Sequence, residues 1–256
     1  MYKTYASPIP ITINFDATVS SFGGVGTSFF MNFFEKYIRL NCSHNVDSIK
    51  HTDTPPLTHK LKFKAIYIYG DPIEAVVSIF MRKYHGLHSQ YMLCNYPKIQ
   101  PILKNETLES YLDLGEDKFK MEAHFHKWFD TSRHYPILFL KYEKIWDFLP
   151  EIFDFLEIEQ KHIKDFPPRR KRNSSLNQLS ENTIDRLNNM YGKFAKELET
   201  KPPFLIHQPT IKQYPLTLFQ LPLSLIQHRH MIHPQLTFST FFPKIYSSLK
   251  SFQKHE

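Results

Sequence analysis

Ten residues, Ser21 to Phe30 (SFGGVGTSFF), gather the densest chemistry in the chain. Three of its seven glycines, Gly23, Gly24 and Gly26, fall within four positions, and Thr27 and Ser28 follow directly. Glycine lets a backbone turn through positive φ and lie close against a ligand. The apolar run from Phe29 to Leu40 predicts a helix over Thr27 to Leu40. Its unsatisfied N–H groups and the positive end of its dipole would face the turn. Amides, two hydroxyls and a helix end together form a cradle for an anion, with Gly23, Gly24, Val25, Gly26, Thr27 and Ser28 as candidate binding residues. The usual nucleoside-triphosphate loop carries a lysine after its last glycine, whereas Gly26 is followed by Thr27. The alternative is a turn that only reverses the chain.

Three further groups could act on such an anion. Lys50 and His51 sit side by side in IKHTDTPP, a cation next to an imidazole that titrates near neutral pH. The stretch Tyr67 to Tyr84 (YIYGDPIEAVVSIFMRKY) places Ser78 on a helix that begins at Pro72. Arg169 to Ser175 (RRKRNSS) is the densest run of positive charge. It reads as a phosphate contact, a solvated linker or a surface patch. His124, His126 and Trp128 read as one partly exposed helix face. His228, His230 and His233 have no acidic or cysteine neighbour, so no metal site is expected. Cys42 and Cys94 form neither a metal-ligand spacing nor a disulfide framework, and two free thiols in a reducing compartment are expected.

These groups need a scaffold, and the pattern supplies one. Thr12 to Ser21, Lys64 to Tyr69 and Pro136 to Tyr142 read as strands, and Val46 to His51 as a short further one. Helices are expected from Pro72 to about Tyr84, Leu108 to Leu112, Asp117 to Thr131 and Ile145 to Leu156, the last bent near Pro150. Glu181 to Thr200 reads as a helix with Ser180 as its N-cap. Gln90 to Lys104, with Tyr91 and Tyr96, reads as a loop that could gate an acceptor. Alternating strands and helices imply an α/β fold with a mostly parallel sheet covered on both faces.

The 256 residues, 41% hydrophobic and 22% charged, suit a globular α/β domain. A net charge of +7 favours anionic ligands. Zinc-finger spacing, RNP-like runs and long basic helices are absent, so no nucleic-acid partner is expected. The start of the sequence lacks a secretory pattern, and no apolar run reaches the length of a membrane span. A cytoplasmic protein without a span is the expectation. From 201 to 256 prolines recur, and the only acidic residue is Glu256. The domain is therefore expected to cover 1–200, with 201–256 an appended basic, proline-rich segment.

The order and spacing of the glycine turn, the Lys-His pair, the Pro72-to-Ser78 segment and LFLKYEKIW (Leu138 to Trp146) resemble the sulfotransferases that use 3′-phosphoadenosine 5′-phosphosulfate (PAPS). The resemblance spans about residues 12 to 200. It implies a P-loop NTPase-like three-layer architecture. The reaction it implies is sulfuryl transfer from PAPS to a hydroxyl or amine of a small-molecule or carbohydrate acceptor, without a metal. It implies that Gly23 to Ser28 hold the 5′-phosphosulfate and that Ser78 holds the 3′-phosphate, helped by Arg169, Arg170, Lys171 and Arg172. His51 would be the base, with Lys50 beside it. Two cations of the family pattern are missing: its loop lysine falls at Gly24 and its 3′-phosphate arginine at Gly70. A degenerate, non-catalytic anion-binding protein is the alternative this leaves.

Overall fold

A computed structural model describes residues 15–58, 60, 62–169 and 176–210. The chain divides after residue 211, and all that follows concerns the first unit. Arg170, Lys171, Arg172 and the three histidines at 228, 230 and 233 lie outside the described residues, as does the segment 211–256.

The fold is α/β. Strands β1 (Ala17–Ser20), β2 (Lys64–Tyr69), β3 (Ile137–Lys141) and β4 (Phe204–His207) form one sheet in that order. β1, β2 and β3 run parallel, and β4 is antiparallel to β3. Alternate residues of a strand point to opposite faces. Ala65 to Tyr69 are buried at both parities, so both faces of β2 are covered. Tyr67 and Tyr69 pack on Phe125 of helix α5 (Met121–Phe129). An aromatic cluster joins Phe33 and Phe34 of helix α1 (Thr27–Phe34) to Phe153 of helix α6 (Leu149–Leu156) and to Phe166.

Several elements differ from the sequence expectation. β1 is shorter than expected: Phe15 and Asp16 are not strand, and residues 11–14 are outside the described set. α1 stops at Phe34. Val46 to His51 is not a strand, because Asn45 (φ 59) and Ser48 (φ 60) turn the chain through the left-handed region. The segment 39–52 instead shields the free edge of β1. Arg39 O accepts from Asp16 N (2.8 Å), and Ser21 N donates to Lys50 O (3.2 Å). The Asn41 side chain pairs with both Val19 N–H (2.7 Å) and Val19 C=O (3.1 Å), as a neighbouring strand would. Phe204 to His207, placed by composition in the appended segment, belong to the sheet as β4.

Helix α2 (Pro72–Met81) begins as expected, with Asp71 Oδ1 accepting from Ile73 N (2.8 Å) and a proline in the first turn. It ends sooner than expected. Lys83 (φ 58) turns the chain, and helix α3 (His85–Met92) follows where a loop had been expected from Gln90. Helix α4 (Leu108–Asp113) and helix α7 (Glu181–Thr200) match their patterns, and Ser180 Oγ accepts from Thr183 N (3.2 Å) as the N-cap. A 3-10 helix, Tyr142–Phe148, links β3 to α6. On α5 the inward face is Met121, His124, Phe125 and Trp128, at i, i+3, i+4 and i+7. This corrects the expected exposed face: His124 and Trp128 are buried, and only His126 is half-buried.

Candidate anion-binding site

The C-terminal ends of β1, β2 and β3 bring the glycine bend, Gly70 and the start of the 3-10 helix to one edge of the sheet. That is where ligands bind in open α/β sheets. Gly23, Gly24 and Gly26 all have positive φ (90, 72 and 70). At Gly23 a Cβ would lie 2.2 Å from Cε1 of His88, whose ring on α3 fills that space. At Gly24 it would lie 2.6 Å from the carbonyl oxygen of Ala75 on α2. The bend is thus clasped by α2 and α3 without being sealed: Gly24 and Gly26 are half-buried and Ser28 is exposed.

The bend is locked from inside by Ser21. Its Oγ accepts from Gly23 N (3.1 Å) and from the Thr27 hydroxyl (2.7 Å). Thr27 therefore spends its hydroxyl on the bend. The N–H groups of Gly24, Val25, Gly26, Thr27 and Ser28 donate to no acceptor among the described residues. Free amides at a helix N-terminus, with its dipole behind them, can take an anion, and the ring of Tyr142 lies against Gly26, where a Cβ would stand 2.1 Å from its Cε2.

Lys50 stands at the same place. Its ammonium donates to Ser28 Oγ (2.6 Å) and to Ser43 O (2.6 Å). It is buried and paired with no carboxylate among the described residues. Burial pushes its pKa down to about 8, and the charge of Arg82 adds to that. Arg82 closes α2, one turn beyond Ser78, and its Nε donates to Ser78 O (3.0 Å). Ala75, Ser78 and Arg82 are spaced i, i+3 and i+7, so the helix face that meets Gly24 continues through both.

His51 lies behind the bend. Its Nδ1–H donates to Ser21 O (3.0 Å), which leaves the lone pair on Nε2. The ring is buried beneath α3, edge-on to His88 (centroids 4.7 Å apart) and nearly parallel to Tyr91 (6.1 Å, 20°). Burial holds His51 well below its ordinary pKa, with His88 adding to the effect. His88 Nε2–H donates to Phe22 O (2.8 Å), and Tyr67 OH donates to His124 Nδ1 (2.8 Å). Burial brings both of these imidazoles down to about 4. The three rings are neutral near pH 7.

The structure therefore brings Gly23 to Ser28, Lys50, His51 and Ser78 to one edge. Arg169 places its guanidinium over the Trp146 ring (5.9 Å), which packs on Phe29 and Tyr142 (both 5.9 Å). Gly70 is buried, and a Cβ there would lie 2.9 Å from Glu143 Oε1, so a carboxylate stands beside this position. The expected gate is partly helical. Tyr91 belongs to α3, and Tyr96 faces Lys127 (4.8 Å), which pairs with Asp53. Reading the sequence passed over Ser21 and His88. Nothing in their spacing marks them, because their partners are backbone groups of the bend.

Among the described residues, Glu122, His126 and Glu197 form a group with metal-ligand types. Glu197 already pairs with Lys201 (3.1 Å). No helix among the described residues is long and apolar enough to cross a membrane. Compared with protein-family models and with curated protein sequences, the chain matches none.

Proposed function

We propose that this chain is a PAPS-type sulfotransferase on a P-loop-like scaffold, transferring a sulfuryl group to a hydroxyl or amine of a small-molecule or carbohydrate acceptor. The observation that carries the reading is Lys50, a buried ammonium without a carboxylate partner among the described residues, set against the open amides of α1. A cation in that position is stabilised by an incoming anion, and the amides have no other described use. Lys50 takes the part of the loop lysine that Gly24 lacks, and Arg82 supplies a second cation on the face that carries Ser78.

Each group then has a chemical part. The acceptor oxygen or nitrogen bonds to sulfur while the bond from sulfur to the bridging oxygen breaks, and the electron pair stays on the departing phosphate. Lys50 and the amides of the bend stabilise that charge. His51 Nε2, neutral at pH 7, takes the acceptor proton. The 3′-phosphate fits less well. Glu143 beside Gly70 repels an anion there, so Ser78 and Arg82 would have to hold it.

A second reading has its own support. The ring of His51 is covered by α3, so an acceptor reaches Nε2 only by displacing that cover. A module that binds the nucleotide without turnover needs no such movement. Titration with labelled PAPS followed by a transfer assay separates the two. Binding weakened at least tenfold by Lys50→Ala supports the anion site, and unchanged binding removes it. Turnover lost in His51→Asn, which keeps a donor for Ser21 O, supports catalysis. Binding with no turnover in the wild type selects the module.

A further inference from the structure

The corner between α2 and α3 carries a surface of which the anion site uses only Arg82. Met81, Arg82, Lys83 and Tyr84 are four consecutive exposed residues at the turn made by Lys83. Met81 is 49% exposed, Tyr84 56%, and Leu87 on the first turn of α3 46%. The chain returns beside them. His85 Nε2–H donates to Lys104 O (3.1 Å), and Ile102 N donates to Ser89 Oγ (3.0 Å), which fixes Leu103 and Lys104 against α3. Leu103 is 63% exposed. Other exposed apolar residues, such as Val46 and Leu114, have no such company in sequence and are ordinary. Four large apolar side chains on one corner are not.

The charge around them is mainly positive. Residues 75 to 105 contain no aspartate or glutamate, while Arg82, Lys83, Lys98 and Lys104 all fall there, and the carboxylate of Glu106, which accepts from Leu103 N (3.0 Å), stands against these four cations. Lys83 and Lys104 pair with no carboxylate among the described residues. From these observations we propose that the α2–α3 corner is a docking face for an anionic lipid surface, with Met81, Tyr84, Leu87 and Leu103 entering the headgroup region and Lys83 and Lys104 meeting lipid phosphates. A soluble polyanion would use the lysines but has no use for four apolar tips. A protein partner would need complementary, well-packed pockets for these tips. A bilayer does not, and apolar tips beside cations are what interfacial attachment uses. The proposal is independent of the reading of the anion site.

The test is co-sedimentation of the full chain with vesicles of phosphatidylcholine alone and of phosphatidylcholine with 30% phosphatidylserine (about that fraction gives a cytoplasmic-leaflet-like surface potential). The expected result is binding that depends on phosphatidylserine and weakens at least tenfold in both Met81→Ser/Leu87→Ser/Leu103→Ser and Lys83→Glu/Lys104→Glu. All these positions are exposed, and unchanged melting temperatures verify that the variants fold. Equal binding by wild type and both variants overturns the proposal, since another part of the chain would then hold the vesicle. Absence of binding to anionic vesicles, with retention on immobilised poly-glutamate that the lysine variant loses, also overturns it and assigns the corner to an acidic polypeptide.

Discussion

Lys50 holds its charge against the effect of burial, and that fixes how the anion site should respond to pH. Its pKa of about 8 lies below the ordinary lysine value, so its ammonium is present at pH 7 and is lost as the pH rises through about 8. Affinity for 3′-phosphoadenosine 5′-phosphate should therefore fall between pH 7 and 9 in a calorimetric titration. Lys50→Arg should flatten that profile, because a guanidinium stays charged. Lys50→Ala should weaken binding about 10- to 100-fold, the equivalent of one charge-assisted hydrogen bond worth ~1.5–3 kcal/mol. Gly24 makes the opposite point. The family resemblance invites a lysine there, yet the left-handed backbone and the Ala75 carbonyl leave no room for its Cβ. Gly24→Lys should lower the melting temperature and weaken nucleotide binding. The glycines, Lys50 and His51 were all legible from sequence as chemical types. The contact of Lys50 with Ser28 Oγ was not, because it depends on a fold that carries residue 50 back to the bend.

At the scale of elements, strands and helices with one strong signal were readable. Lys64 to Tyr69 is continuous and β-branched, and Glu181 to Thr200 has a cap and a long amphipathic period; both stand as expected. Three of the failures share a cause. The end of α2, the start of α3 and the turns within 39–52 depend on left-handed residues that are not glycine, Asn45, Ser48 and Lys83, and no composition rule marks those positions. The same segment does a strand's work without being one, since Asn41 occupies both backbone groups of Val19. Asn41→Leu should leave a buried donor and a buried acceptor unpaired and cost about 2–5 kcal/mol. Urea denaturation of the variant would measure it as a lower midpoint at unchanged slope.

Across the whole molecule, the buried histidines set the acid limit. His51, His88 and His124 lie together between the bend and α5, all with pKa values below the ordinary imidazole value of about 6.5. An unfolded chain takes up protons on them as pH falls through about 6.5, whereas the folded chain protonates His88 and His124 only near 4, and His51 well below the ordinary imidazole value. The unfolded state therefore binds more protons in that window, and stability falls as pH falls. Each such histidine should remove about 1.4 kcal/mol per pH unit, visible as a steep drop in melting temperature from pH 6.5 to 4. Exchanging His124 for Gln should lessen that slope. Composition located the α/β domain but drew its end at residue 200, because prolines obscured a four-residue strand. That strand has a practical consequence for anyone shortening the chain. A fragment trimmed at Thr200 would bare the hydrogen-bonding flank of β3 and leave it open to zipper onto other copies. One trimmed at Thr210 keeps that flank occupied, and gel filtration should find the first aggregated and the second monodisperse.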